Sequence, residues 1–101
     1  MSEKASLHLV SGSIQSSRAL EMCLQYSQPG DSVLFIQAGV ASMPWLDPAD
    51  FKGTKLAVYW LEADVLARGL EAVAEQQSWQ IVDDDGFVGL VEQHAPIHNW
   101  T

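Results

Sequence analysis

Leu56-Ala57-Val58-Tyr59-Trp60-Leu61, running directly into Glu62-Ala63-Asp64-Val65-Leu66-Ala67-Arg68-Gly69, is the stretch that decides the fold. Within its first half Leu56 to Trp60 is short, continuously apolar and carries β-branched and aromatic side chains, the pattern of a strand covered on both faces. Its second half predicts a short helix over Glu62 to Arg68, stopped where Gly69 can take the left-handed conformation of a C′ residue. A covered strand feeding a helix is half of a βαβ unit. Six apolar residues are also far too few to span a bilayer.

Outward from this stretch the pattern recurs. Leu7-His8-Leu9-Val10 and Val33-Leu34-Phe35-Ile36 predict two more buried strands, and Trp79-Gln80-Ile81-Val82 a weaker fourth. Ser16-Ser17 can cap a helix from about Arg18 to Ser27 that Pro29-Gly30 ends. Leu20, Cys23, Leu24 and Ser27 share one face of it, so Cys23 is expected to look inward. The region from Gly39 to Lys55 holds two prolines and a turn at Gly53, and predicts a short helix plus loop. Leu70 to Ser78 fits a helix extension or a loop. Asp83 or Asp84 can cap a helix from about Gly86 to His94, with Phe87, Leu90 and Val91 inward and Pro96 as its end. Strands alternating with helices at this spacing predict an α/β domain with a right-handed, mainly parallel sheet.

The chain has 101 residues, the size of one domain, and is expected to form a single unit over residues 1–101. Its apolar fraction of 48% and charged fraction of 18% exclude a disordered tail. Thirteen acidic residues against five basic ones give a formal charge of -8, which argues against direct binding of nucleic acid, whose phosphates require a Lys/Arg surface. One cysteine excludes a scaffold held by internal disulfides. Glu3 beside Lys4, with only Leu7 to Val10 apolar, does not read as a signal peptide, and the cytoplasm is the expected location.

Few residue groups offer chemistry. Cys23 is the lone thiol, but mid-helix beside Met22, Leu24 and Glu21 it lacks the helix N-terminus or neighbouring cation that would activate it; it reads as a small buried hydrophobe, with a persulfide carrier as the sharper alternative. Asp83-Asp84-Asp85-Gly86 could hold Mg²⁺, yet no glutamate closes a calcium-type loop, and capping the following helix explains it better. His94 and His98 have metal-ligand spacing, but Pro96 breaks the helix that would align them, and His8 is remote in sequence; no metal or cofactor is expected. Ser11-Gly12-Ser13 lies where doubly wound domains hold phosphate but lacks the Gly-rich fingerprint; it reads as a turn, with an anion-binding module as the alternative. Asp64 and Arg68 form an i, i+4 pair worth a few tenths of a kcal/mol, unless Arg68 meets a partner subunit. Four tryptophans exceed what so small a core easily buries. Trp60 and Trp79 read as core, whereas Trp45, in a Pro-flanked loop, and Trp100, next to last, are candidate interface residues.

Several segments in order resemble the TusB/DsrH family of small sulfur-relay subunits. They are Leu7-His8, then Gln37-Ala38-Gly39-Val40 after the second strand, then Leu61 to Gly69, then Ile81-Val82-Asp83-Asp84-Asp85-Gly86-Phe87-Val88-Gly89-Leu90, and the near-terminal Trp100. The resemblance implies a DsrE-like three-layer domain whose sheet has four or five strands covered by helices. It implies work in a heterohexamer beside TusC/DsrF-like and TusD/DsrE-like paralogues, which receives persulfide sulfur from a TusA-type donor and passes it to a TusE/DsrC-type acceptor. In the Tus branch that sulfur ends in 2-thiouridine at the tRNA wobble position; in the Dsr branch the complex serves sulfur oxidation. The carrier cysteine lies on the TusD/DsrE-like partner, which leaves this subunit mainly an interaction role. Cys23 resembles the cysteine of Dsr-type members, and so the alternative is a DsrH-type subunit in which Cys23 takes part in transfer. Ala38 departs from an aspartate common after the second strand.

Overall fold

The computed structural model describes residues 4–101, and Glu3 of the N-terminal reading lies outside them. Five strands, β1 (Leu7–Val10), β2 (Ser32–Phe35), β3 (Ala57–Leu61), β4 (Ile81–Val82) and β5 (Ile97–Trp100), form one all-parallel sheet in the order β4-β3-β2-β1-β5. Four α-helices accompany them: α1 (Ala19–Tyr26), α2 (Glu62–Ala67), α3 (Glu71–Gln77) and α4 (Asp84–Gln93). Two 3-10 segments, Gln37–Trp45 and Pro48–Phe51, link β2 to β3.

The strand order determines which face each connection covers. The chain steps from β1 through β2 and β3 to β4 in one direction, then returns past all of them to β5. Right-handed crossovers place the connections of the three forward steps on one face and the returning α4 on the other. The packing agrees. Ala19, Leu20 and Cys23 of α1, Val40 and Met43, Phe51, Val65 of α2 and Ala74 of α3 enclose Val10, Val33, Phe35 and Trp60. Leu90 and Phe87 of α4 meet Leu7, Leu9, Leu34 and Tyr59. Neighbouring strand residues thus point to opposite layers, and both layers are apolar, which is why the runs read as continuous. The first face is anchored by aromatic packing: Trp60 stacks on Phe35 at 4.0 Å between centroids and meets Trp79 edge-on at 5.0 Å. Such pairs are worth about 0.5–1.5 kcal/mol each beyond the area they bury.

Local signals explain most boundaries. Ser17 Oγ accepts from the Ala19 N–H at the start of α1, and Asp83 Oδ1 accepts from Gly86 at the start of α4, so Asp83 rather than Asp84 is the cap. Gly69 takes φ +66° after α2. Leu70 to Ser78 resolves as a helix, α3, ended by Ser78 in the left-handed region. The expected helix plus loop after Gly39 is instead a 3-10 run that begins at Gln37. Two expected inward positions are exposed: Leu24 of α1 at 39% and Val91 of α4 at 40%. Val91 lies a hundred degrees round the helix from Leu90, and Phe87 and Leu90 at i, i+3 spacing suffice to seat α4 on the sheet. The fifth strand has no continuous apolar run: Ile97-His98-Asn99-Trp100 alternates, as an edge strand with one covered face does.

Two glycines give opposite tests of this packing. A Cβ on Gly39 would fall 2.0 Å from the Val10 carbonyl oxygen, against backbone that cannot yield cheaply. Gly39→Ala is expected to lower the unfolding free energy by about 3 kcal/mol or to prevent folding. Gly89, inside α4 with open space around it, is the counterpart. Gly89→Ala should raise stability by about 0.5–1 kcal/mol. Urea denaturation of both variants measures the contrast.

Candidate functional site

Parallel register assembles a polar cluster in the apolar layer beneath α1. His8 is directly opposite His98 across β1 and β5, and opposite Val33 across β1 and β2. Asp31, two residues before Val33, and Trp100, two after His98, therefore share the His8 face. His8 Nε2 lies 2.9 Å from Asp31 Oδ2, and Trp100 Nε1 donates to His8 Nδ1 at 3.1 Å. The rings of His8 and His98 stack at 5.1 Å, and Tyr26 of α1 closes over both edge-on.

The protonation pattern follows from the donors. An indole N–H can only donate, so Nδ1 of His8 carries the lone pair and Nε2 carries the proton given to Asp31. Burial by itself would push the Asp31 carboxyl up. The hydrogen bond from His8 and the backbone N–H groups of Gln28 and Ser6 outweigh it and hold Asp31 below its ordinary value. His8 and Asp31 are buried, while Tyr26, 55% exposed, forms the outer edge of the group. The group joins β1, the turn before β2 and β5.

The residues singled out in the sequence are scattered. Cys23 is wholly buried under α1, and its sulfur lies 3.6 Å from the Ser27 hydroxyl. Desolvation pushes the thiol up, the Ser27 contact opposes this, and the charge of Asp31 adds to the rise. Trp45 ends the first 3-10 segment and is 67% exposed, the most open large apolar side chain described. Beside it Leu46 helps line a shallow hollow of about 530 Å³ with Ile14, Arg18 and Leu24. Trp100 is not a free end: it packs on the core and on His8. Asp64 does not pair with Arg68. Its carboxylate accepts the Gln37 N–H at 2.7 Å and ties α2 to the end of β2, leaving Arg68 exposed beyond α2 with no described carboxylate in contact.

The remaining motifs are structural in place. Ser11 Oγ donates to the Trp100 carbonyl and Ser13 Oγ to the side chain of Gln15, so both hydroxyls of the first turn are engaged. His94 contacts Ser32 Oγ and the Leu90 carbonyl while His98 lies against His8, so the two histidines diverge. Among the described residues no three His, Cys, Asp or Glu side chains converge as metal ligands. Sequence reasoning missed the His8–Asp31 pair. A histidine inside an otherwise apolar strand was the available signal, since such a group requires a buried partner.

The family model described as DsrH like protein matches residues 13–97. Among solved structures the chain is similar to the solution NMR structure of protein Tm0979 from Thermotoga maritima. The two are 21% identical over 86% of this chain and 91% of that one, with a TM-score of 0.60, a likeness of fold. Among curated proteins none matches the chain.

Asp31 makes the stability of the cluster depend on pH. Because its folded value lies below the unfolded one of about 3.9, its contribution is complete above that pH and lost as the pH falls through the folded value. Asp31→Asn is expected to cost about 2 kcal/mol at pH 7, because the amide cannot accept from all three donors. Its urea midpoint should also decline less steeply than that of the natural protein between about pH 5 and 3.

Proposed function

This chain belongs to the DsrH-like family, and from that premise we propose that it is a single-domain, mainly structural subunit of a cytoplasmic sulfur-relay complex. It works beside TusC/DsrF-like and TusD/DsrE-like paralogues in passing persulfide sulfur toward 2-thiolation of the tRNA wobble uridine. The observation that carries this reading is the state of its only thiol. A sulfur carrier requires a thiolate that a partner's thiol can reach. Cys23 has no exposed surface, and burial disfavours its thiolate. The division of labour follows: the partners carry sulfur, and this subunit contributes surface.

Trp45 supports the second half of the reading. A largely exposed indole is an unfavourable use of apolar area in an isolated chain and a frequent hot spot once covered. The formal charge of -8 is in keeping with a subunit that does not itself grip tRNA. No helix of the described residues is long and apolar enough to cross a membrane.

Co-expression with the two paralogous subunits, followed by size-exclusion chromatography, tests the assembly. Trp45→Ala should weaken the complex by about thirtyfold, the loss of one hot spot of roughly 2 kcal/mol, while Cys23→Ser should leave it intact. In the isolated subunit, iodoacetamide should label Cys23 at least about a hundredfold more slowly than in urea, an opening cost of roughly 3 kcal/mol. Fast native labelling together with loss of sulfur transfer in Cys23→Ser would instead make this subunit a carrier.

A further inference from the structure

Where α2 and α3 pack beside the short β4, the surface forms a groove of about 240 Å³. Its floor is apolar, made by Val65, Trp79 and Ile81, and its rim carries Glu62, Glu71 and Glu75. We propose that this groove docks a basic segment of a partner protein, receiving the stem of one Lys or Arg side chain on the floor and its cationic head among the three glutamates. The inference goes beyond the sulfur-relay reading and stands without it, since it requires only a basic partner.

Size favours a side chain over a free ligand. Small-molecule pockets run to roughly 300–1,000 Å³, and this groove falls below that range while admitting one long side chain. Its chemistry matches such a side chain: the methylene stem of Lys or Arg covers apolar surface while its head stays with charge and water. Complementarity fixes the sign. No Lys or Arg of the chain lines the groove, and none of the rim carboxylates takes part in a described ion pair. Glu71 and Glu75 are one turn apart on α3, a like-charge spacing that costs a few tenths of a kcal/mol until a cation sits between them. Glu62 is shared with an adjoining hollow lined by Asp83, Asp84 and Asp85, which extends the negative field along the path a basic segment would follow.

The test uses the full chain and a synthetic peptide of lysines flanked by leucines, with a twin in which glutamate replaces each lysine. Titration followed by NMR should move the Trp79 indole and the amides of α2 and α3 with the basic peptide and not with its acidic twin. Glu71→Gln/Glu75→Gln should weaken binding by about tenfold. Glu21→Gln/Glu92→Gln, which removes the same charge elsewhere, should leave it unchanged. Circular dichroism identifies any variant that fails to fold, and Glu62→Gln alone then serves in place of a failing pair, with a smaller loss expected. Equal weakening by both pairs, shifts spread over the whole acidic surface, or spermine binding the groove as tightly as the peptide would each overturn the proposal.

Discussion

A histidine sealed inside the innermost apolar layer must find hydrogen-bond partners, and the rest of this architecture accommodates that requirement. His8 is in β1, which lies between β2 and the last strand, β5, in the sheet. Its two ring nitrogens are satisfied by Asp31, at the entrance to β2, and by Trp100, at the end of β5. One imidazole thus fastens the first strand to both of its neighbours. Leaving either nitrogen without a partner would cost on the order of 1–3 kcal/mol, a large share of the stability of a domain this small. The same requirement keeps a carboxylate in the interior, held ionised by three N–H donors.

The two faces of the sheet are covered unequally. Three crossovers, one of them made of the two 3-10 segments, crowd one face, whereas the single helix α4 guards the other. The crowded face holds the buried thiol, the stacked tryptophan and phenylalanine, and the polar cluster. What it offers the outside is relief on its surface: an exposed indole at the end of the first 3-10 segment and a shallow acidic groove between α2 and α3. On the proposed reading, a domain of this kind acts through what it touches, and the burial of its sulfur under α1 is in keeping with that.

Much of this was legible in the residues alone. The runs at Val33 and Leu56 are apolar at every position, and that at Leu7 at all but His8, because both faces of their strands are covered, and that signal is local. Gly69, Asp83 and Pro96 mark helix ends through their own backbone chemistry, and Cys23 betrays its inward direction through helical spacing. Val91 was misjudged because an amphipathic stripe defines a direction, while the curvature of the surface beneath it sets how wide a stripe is buried. The packing of Trp100 on His8 was not legible, because position in a chain says little about position in a sheet: the last strand pairs with the first.

By itself the sequence therefore determined the alternation of strand and helix, the apolar coverage of both sheet faces, the helix stops and the inward thiol, since each follows from periodicity or from one residue's conformational preference. Tertiary structure alone decided that His8 meets Asp31, His98 and Trp100, that Asp64 forsakes Arg68 for the Gln37 amide, and that three glutamates ring one groove. Those partners are separated by up to 92 residues along the chain. They are brought together by register between parallel strands and by the helices packed on the sheet, both set by the packing of the whole domain.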